Sequence, residues 1–299
     1  MRNIFFESVV FCLIIFGVGR TAKAENAGFV FLRHGYGARP AALGEAVTAA
    51  GGDLSSAVYN PSLLMQLGDD TQFSFAYNRI YEDVSQSNLG CGFKFGNYAV
   101  AGLLNVGKIA DIERRNETAS PYPLGEFEEN NIVMALQAAA ATGNIDGGLA
   151  LKYAYEKIDY SSANALIFDF GVNLNGGRGL RVGAAVRNIG GKYRFELARY
   201  SLPLEYRVGA AFSPPDLDNY RFLADIVVPR NADTKTNLGF EWLPDKGFAL
   251  RAGYGFGYDS RGLAFGGGLS YRRFTFDYAF VINRNDLGSS HRLTISVAP

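Results

Sequence analysis

Cysteine, histidine and tryptophan are scarce in this sequence, and each scarcity removes a class of function. The 299 residues include two cysteines, two histidines and one tryptophan. Cys12 lies in an N-terminal stretch that reads as a leader. The mature chain then keeps only Cys91, so no intramolecular disulfide is expected and the fold must hold by other means. His34 and His291 stand far apart, without the neighbouring cysteines or paired acids that complete a metal set, and two histidines offer little to acid–base catalysis. No Ser-His-Asp set or suitably spaced carboxylate pair emerges. A non-enzymatic chain without cofactor or metal is the expectation. Long apolar runs are also missing beyond the leader, where nothing approaches the roughly 18 consecutive apolar residues of a membrane-spanning helix. Charge of one sign is absent too: 29 basic residues face 29 acidic ones, so there is no basic field for nucleic acid.

The leader comprises Arg2, an apolar core from Val9 to Val18, and the Ala22-Lys23-Ala24 cleavage-like triplet. Residues 1–24 are read as a secretory signal peptide and set aside from the fold. Without Arg2, Arg20, Lys23 and Glu7, 26 basic and 28 acidic residues remain, about −2.

What is abundant is an unusual pair, 36 glycines beside 23 phenylalanines and 17 tyrosines. Glycine weakens ordinary strands while aromatics favour them, and both fit if small residues face a crowded interior and rings face outward. From Thr71 onward the sequence alternates with period two. Between Ile145 and Glu156, the residues Ile145, Leu149, Leu151, Tyr153 and Tyr155 share one face, and Asp146, Ala150, Lys152, Ala154 and Glu156 share the other. The same split recurs at 204–212, 248–256 and 273–282. A soluble sandwich would alternate as well, but its wet face would carry mostly Lys, Glu, Ser and Thr. Here the polar face mixes Gly and Ala with charges of both signs, which suits an enclosed, partly filled lumen. The apolar face ends in aromatic rings, as at a membrane interface.

The fold expected is therefore all-β: a transmembrane antiparallel β-barrel of about 14 strands with a short N-terminal helical plug. Strands are placed near 71–81, 84–95, 97–107, 128–141, 144–156, 160–174, 179–189, 203–213, 219–229, 232–243, 247–257, 261–271, 272–282 and 288–297. Short turns on one side alternate with longer loops on the other, chiefly 108–127, 190–202 and 283–288. Three parts follow: a signal peptide at 1–24, a plug at 25–68 and the barrel at 69–299. The plug contains a helical run over Ala41 to Ala50, and its Asn60-Pro61 pair reads as a helix stop or as a gate. Arg39 needs a buried partner, with Asp169, Asp225, Glu241 and Asp277 as candidates. The lumen face collects Lys152, Glu156, Asp169, Arg181, Arg187, Glu205, Arg207, Asp225, Glu241, Arg251 and Asp277. Gly253 to Gly257 and Gly266 to Gly268 are not phosphate loops, because they lie within strand patterns and open no helix.

Two regions carry a resemblance. Gly37-Ala38-Arg39, Ala42-Leu43-Gly44 and Ser56-Ala57-Val58-Tyr59-Asn60-Pro61, followed by Leu63 and Leu64, form an N-terminal signature. Leu151 to Ile158, Arg187 to Gly190, Leu202-Pro203-Leu204, Arg251 to Tyr254 and Leu287 to Arg292 follow in order. Together they resemble the PorV/PorQ family of outer-membrane proteins, similar in fold to FadL-type fatty-acid transporters. Ser62 departs from the Ala-Gly-Leu that usually follows the family's Asn-Pro, and Val297-Ala298-Pro299 lacks a terminal aromatic. The resemblance implies a bacterial outer-membrane barrel surrounded by lipid, working in one of two ways. A docking or shuttle component of protein secretion, of the type IX kind, would hold exported proteins or secretion machinery at its outer loops and be packed shut by ion pairs. A FadL-like passive transporter of long-chain fatty acids or other hydrophobic compounds would hold its small molecule, or a detergent, in an apolar lumen pocket, lined in part by Leu63, Leu64 and Met65. The lumen charges favour the first.

Overall fold

The computed structural model describes residues 28–298 except 69–70, 82, 117–120, 246 and 286. The expected signal peptide lies outside the described residues. The chain opens with a 3₁₀ turn, Val30–Arg33, then α1 (Ala38–Ala42), α2 (Leu54–Ala57) and a second 3₁₀ turn, Pro61–Gln66. Strands follow: β1 (Thr71–Arg79), β2 (Val84–Phe95), β3 (Tyr98–Arg114), β4 (Gly125–Thr142), β5 (Ile145–Ile158), β6 (Ser161–Gly177) and β7 (Leu180–Ile189). Then come β8 (Tyr193–Phe195), β9 (Ala198–Tyr200), β10 (Glu205–Phe212), β11 (Tyr220–Pro229) and β12 (Lys235–Asp245). The chain ends with β13 (Phe248–Phe256), β14 (Arg261–Tyr271), β15 (Phe274–Asn283) and β16 (Ser289–Val297).

Fourteen of these strands form one closed antiparallel barrel, in which β1 pairs with β16 and β7 with β10; β8 and β9 make a separate small hairpin. Closure leaves no unpaired edge. Outward positions are apolar, and large side chains stand exposed there on most barrel strands, for example Phe73, Phe75 and Tyr77 on β1 and Phe274, Phe276 and Tyr278 on β15. Inward positions are small or polar and buried. The short-turn rim carries a ring of aromatics, Phe95, Tyr98, Tyr220, Trp242, Phe248, Tyr271 and Phe274, with Tyr220 and Trp242 stacked at 6.4 Å. This is the outer surface of a barrel meant for hydrocarbon, with rings at the interface.

Two loop expectations need correction. Residues 108–114 and 125–127 are strand, because β3 and β4 continue pairing past a bulge between Ile109 and Ile112, so the connection shrinks to 115–124. Residues 190–202 are not irregular throughout but hold the β8–β9 hairpin.

The plug fills the lumen. Its helical run is shorter than expected: α1 stops at Ala42 because Gly44 and Glu45 turn left-handed, at φ 61° and 63°. Asn60-Pro61 starts a turn rather than ending a helix. The Asn60 side chain accepts the Ser62 amide as N-cap, and Pro61 takes the first position, where its missing N–H costs nothing. Leu54, Leu64 and Leu67 pack on Ala99, Ala101 and Ala139 of the inner wall. Two wall glycines make the fit possible. A Cβ at Gly253 would lie 2.1 Å from the Gly44 nitrogen, and one at Gly148 would lie 2.3 Å from the Ser62 nitrogen.

Candidate functional site

The lumen charges fall into clusters that tie plug to wall. Toward the short-turn rim, Glu241 accepts three arginines: Arg39 Nε at 3.0 Å, Arg251 Nε at 2.7 Å and Arg221 Nη1 at 2.9 Å. Arg39 also donates to Asp53 Oδ2 at 2.7 Å, and Arg251 to Asp277 Oδ1 at 2.6 Å. Of the four carboxylates suggested for Arg39, Glu241 is the partner, joined by Asp53 of the plug itself. Glu241 is almost fully buried, so each guanidinium offsets part of the cost of hiding the others.

Deeper in, Glu205 accepts Arg187 at 3.0 Å and Arg207 at 3.2 Å, and Arg207 reaches Asp225 at 2.9 Å. Arg207 also donates to the Glu45 carbonyl at 2.7 Å and to Thr48 Oγ1 at 2.9 Å. Thr48 in turn donates its amide to Asp225 at 3.0 Å. The Tyr59 ring lies between Arg187 and Arg207, 5.3 and 5.0 Å from their guanidinium carbons, a cation–π contact on each side. A third cluster joins Lys152 to Asp169 at 2.7 Å and to Asn188 Oδ1 at 2.7 Å. Asn188, left-handed at φ 61°, sits in a bulge of β7 against β6 and donates its amide to Asp169.

Nine of the eleven lumen residues expected from parity are thus brought into ion pairs. Arg181 instead lines a cavity of about 930 Å³ at the short-turn mouth, and Glu156 stands apart toward the loop side. Among the plug residues, Gly37 caps α1, Ala38 donates its amide to Thr294 at 2.8 Å, and Asn60 Nδ2 donates to the Thr48 and Val172 carbonyls. Leu43, Gly44 and Pro61 pack against the wall. Leu63 and Leu64 are fully buried in packing and line no open pocket, contrary to the lipid-pocket expectation; Met65 borders the short-turn cavity.

Sequence reasoning missed a plug carboxylate. Glu45 pairs with Arg261 and lies 3.9 Å from Arg292, which also donates to the Gly35 carbonyl at 3.0 Å. Burial works against ionising Glu45, but these arginines outweigh it and hold its carboxyl at about 2. Nearby, burial and then the Arg292 charge push His34 down to about 4, so its ring is neutral at pH 7.

Also missed was the apolar pocket on the loop side, of about 310 Å³. The 3₁₀ turn Val30–Arg33 forms its floor, the β8–β9 hairpin its lid, and the inner wall of β2–β5 its side. Phe29 meets Phe31 at 5.5 Å and Tyr193 at 4.3 Å, and Tyr193 stacks on Tyr200 at 5.9 Å. The Phe29 backbone hydrogen-bonds the Tyr193 hydroxyl, and the Gly28 amide reaches the Ser201 carbonyl at 3.2 Å, so plug and lid are stitched together. Burial, reinforced by Glu156, raises the Tyr193 hydroxyl above its ordinary range and keeps it protonated. No sequence periodicity marks this pocket, because its rings come from a turn and a loop. It lies at the small end of the volumes that small-molecule sites occupy.

No protein-family model and no curated protein matches the chain. Solved structures do. The toluene transporter TodX of Pseudomonas putida superposes with a TM-score of 0.66 at 14% identity, over 88% of this chain and 96% of that one. The toluene transporter TbuX of Ralstonia pickettii gives 0.67 at 14% identity, over 90% and 98%. A FadL homologue from Pseudomonas aeruginosa gives 0.60 at 10% identity, over 89% and 98%. In fold, then, this chain is a plugged fourteen-stranded barrel similar to these three.

Proposed function

We propose that the protein is a non-enzymatic outer-membrane channel that takes hydrophobic small molecules from outside the cell into its loop-side pocket and passes them on when the plug shifts. The observation that carries this reading is the aromatic pocket itself, a chamber whose rings come from the plug and the β8–β9 hairpin. The shared fold with toluene transporters and a FadL homologue supports it. So does the position of the plug, which forms the pocket floor and blocks the route beyond it. Uptake of a labelled aromatic hydrocarbon or long-chain fatty acid is the test, in Gram-negative cells stripped of their own channels of this type. Expression of the barrel should raise the entry rate several-fold. A rate equal to that of cells without it would discard the reading.

A second reading, a PorV/PorQ-like docking component for protein secretion, is favoured by one feature. Apolar side chains stand exposed on the loop side, Tyr122, Leu124, Tyr160 and Leu197 among them, with Leu197 91% exposed at the hairpin tip. Such residues can anchor a protein partner. Capture of exported proteins by the intact barrel, lost on removal of 193–200, would support docking; capture that survives the deletion, or none at all, would count against it.

A further inference from the structure

The apolar pocket has an acidic end. Glu129 on β4 and Glu156 on β5 both line it and are diagonal neighbours on the inner wall, since Glu129 pairs with Ile158 and Asn131 with Glu156 across the ladder. Among the described residues no lysine or arginine pairs with either carboxylate. Lys108 borders the pocket, but its ammonium is 2.6 Å from Glu128, with both side chains about half exposed. His34, also at the border, is neutral at pH 7.

Two further acceptors face the same space. Asn131 and Gln86 are 2% and 3% exposed, and Asn131 Oδ1 and Gln86 Oε1 have no donor. The side chain of Asn131 hydrogen-bonds Glu129, and its oxygen lies over Gly107, another residue of the pocket lining. Other lumen amides, Asn105, Gln137, Asn173 and Asn237 among them, also hold an oxygen without a donor; what sets this place apart is that four oxygen-bearing side chains converge beside an aromatic lining. Among the described residues, the other buried carboxylate clusters of the lumen each carry a cation, as at Glu241, Glu205, Asp225, Asp169, Asp277 and Glu45.

We infer that the pocket selects amphiphiles with a protonated amine: the ammonium seats between Glu129 and Glu156 with the Asn131 and Gln86 oxygens, and an aromatic or short aliphatic body packs against Phe29, Phe31 and Tyr193. An ammonium has three donors and no acceptor, so it satisfies this set in a way that a carboxylate or hydrocarbon cannot. The surrounding ring faces add cation–π attraction. A fatty-acid carboxylate placed at this end would meet two carboxyl groups and two amide oxygens with no cation paired to them. The inference rests on the channel reading above and names the class of compound the channel prefers.

Three probes of nearly one shape separate the possibilities: 4-phenylbutylamine, 4-phenylbutan-1-ol and 4-phenylbutyrate, titrated calorimetrically into the full barrel in nanodiscs at pH 7. The amine is expected to bind at least tenfold more tightly than the alcohol, and the butyrate most weakly. In a Glu129→Gln, Glu156→Gln barrel that still shows the gel-mobility shift of folded protein, the amine should fall to the level of the alcohol while the alcohol is unchanged. Should that variant fail to fold, the ranking of the three probes on the unaltered barrel decides. Alcohol binding equal to or tighter than amine, an amine preference that survives both substitutions, or no binding by any probe would overturn the amine assignment. The channel reading is judged apart from it, by whether cells carrying the barrel take up the alcohol faster than cells without it.

Discussion

Glu241 shows how single residues hold this lumen shut. Its two oxygens take four hydrogen bonds from three guanidinium groups, one from the plug and two from neighbouring strands. Removing one partner of a buried ion cluster leaves uncompensated charge, a loss of about 3–5 kcal/mol. Glu241→Gln should therefore lower the melting temperature of the barrel in detergent clearly, followed by circular dichroism. An unchanged melting curve would mean the cluster is solvated and contributes little. The parity of Glu241, Arg251 and Asp277 made their shared side readable from sequence, and the need of a buried Arg39 for a carboxylate narrowed its partner to four. Which of the four it meets depends on the height of the plug in the barrel, and no local pattern encodes that. Glu45 was unreadable for the same reason. It stands in an Ala-rich run with nothing to mark it as facing Arg261.

Among the elements, the plug is the part that acid should loosen. His34 ionises near 6.5 in an unfolded chain but near 4 in place, where burial and the charges of Arg292, Arg261 and Arg33 oppose protonation and Glu45 favours it. Between those values the unfolded plug binds the extra proton, so stability falls as pH falls from about 6.5 to 4, by about 3 kcal/mol. Glu45, at about 2 in place and 4.5 otherwise, adds a second loss below pH 4.5 with the same sign. Limited proteolysis of the folded barrel should therefore cut residues 28–68 faster at pH 4.5 than at pH 7, and His34→Gln should flatten the difference. Equal cleavage at both pH values would show that His34 does not sense the packing of the plug. The plug also marks where sequence reading was weakest. Its Ala-rich run suggested one helix over ten residues, yet Gly44 and Glu45 break it into a left-handed corner that brings Thr48 to Asp225. Helix propensity lost to tertiary contact with Gly253 and Gly239.

At the scale of the molecule, the barrel was legible because one rule runs through every strand: apolar outward, small or charged inward. Period-two parity survives small errors in strand ends, so fourteen strands and their faces emerged even though β3 and β4 proved longer than expected. The aromatic pocket was not legible, since it forms only when a turn near the N-terminus meets a hairpin some 160 residues later. The whole account rests on the outward face lying in hydrocarbon. Nitroxide labels attached one at a time at Leu136, Leu151 and Phe276, in a Cys91→Ser barrel reconstituted in lipid, measure this by power-saturation EPR. The account predicts strong relaxation by dissolved oxygen and little by a water-soluble nickel chelate at all three, with the reverse at Tyr122. Relaxation by nickel at Leu136, Leu151 and Phe276 equal to that at Tyr122 would contradict it.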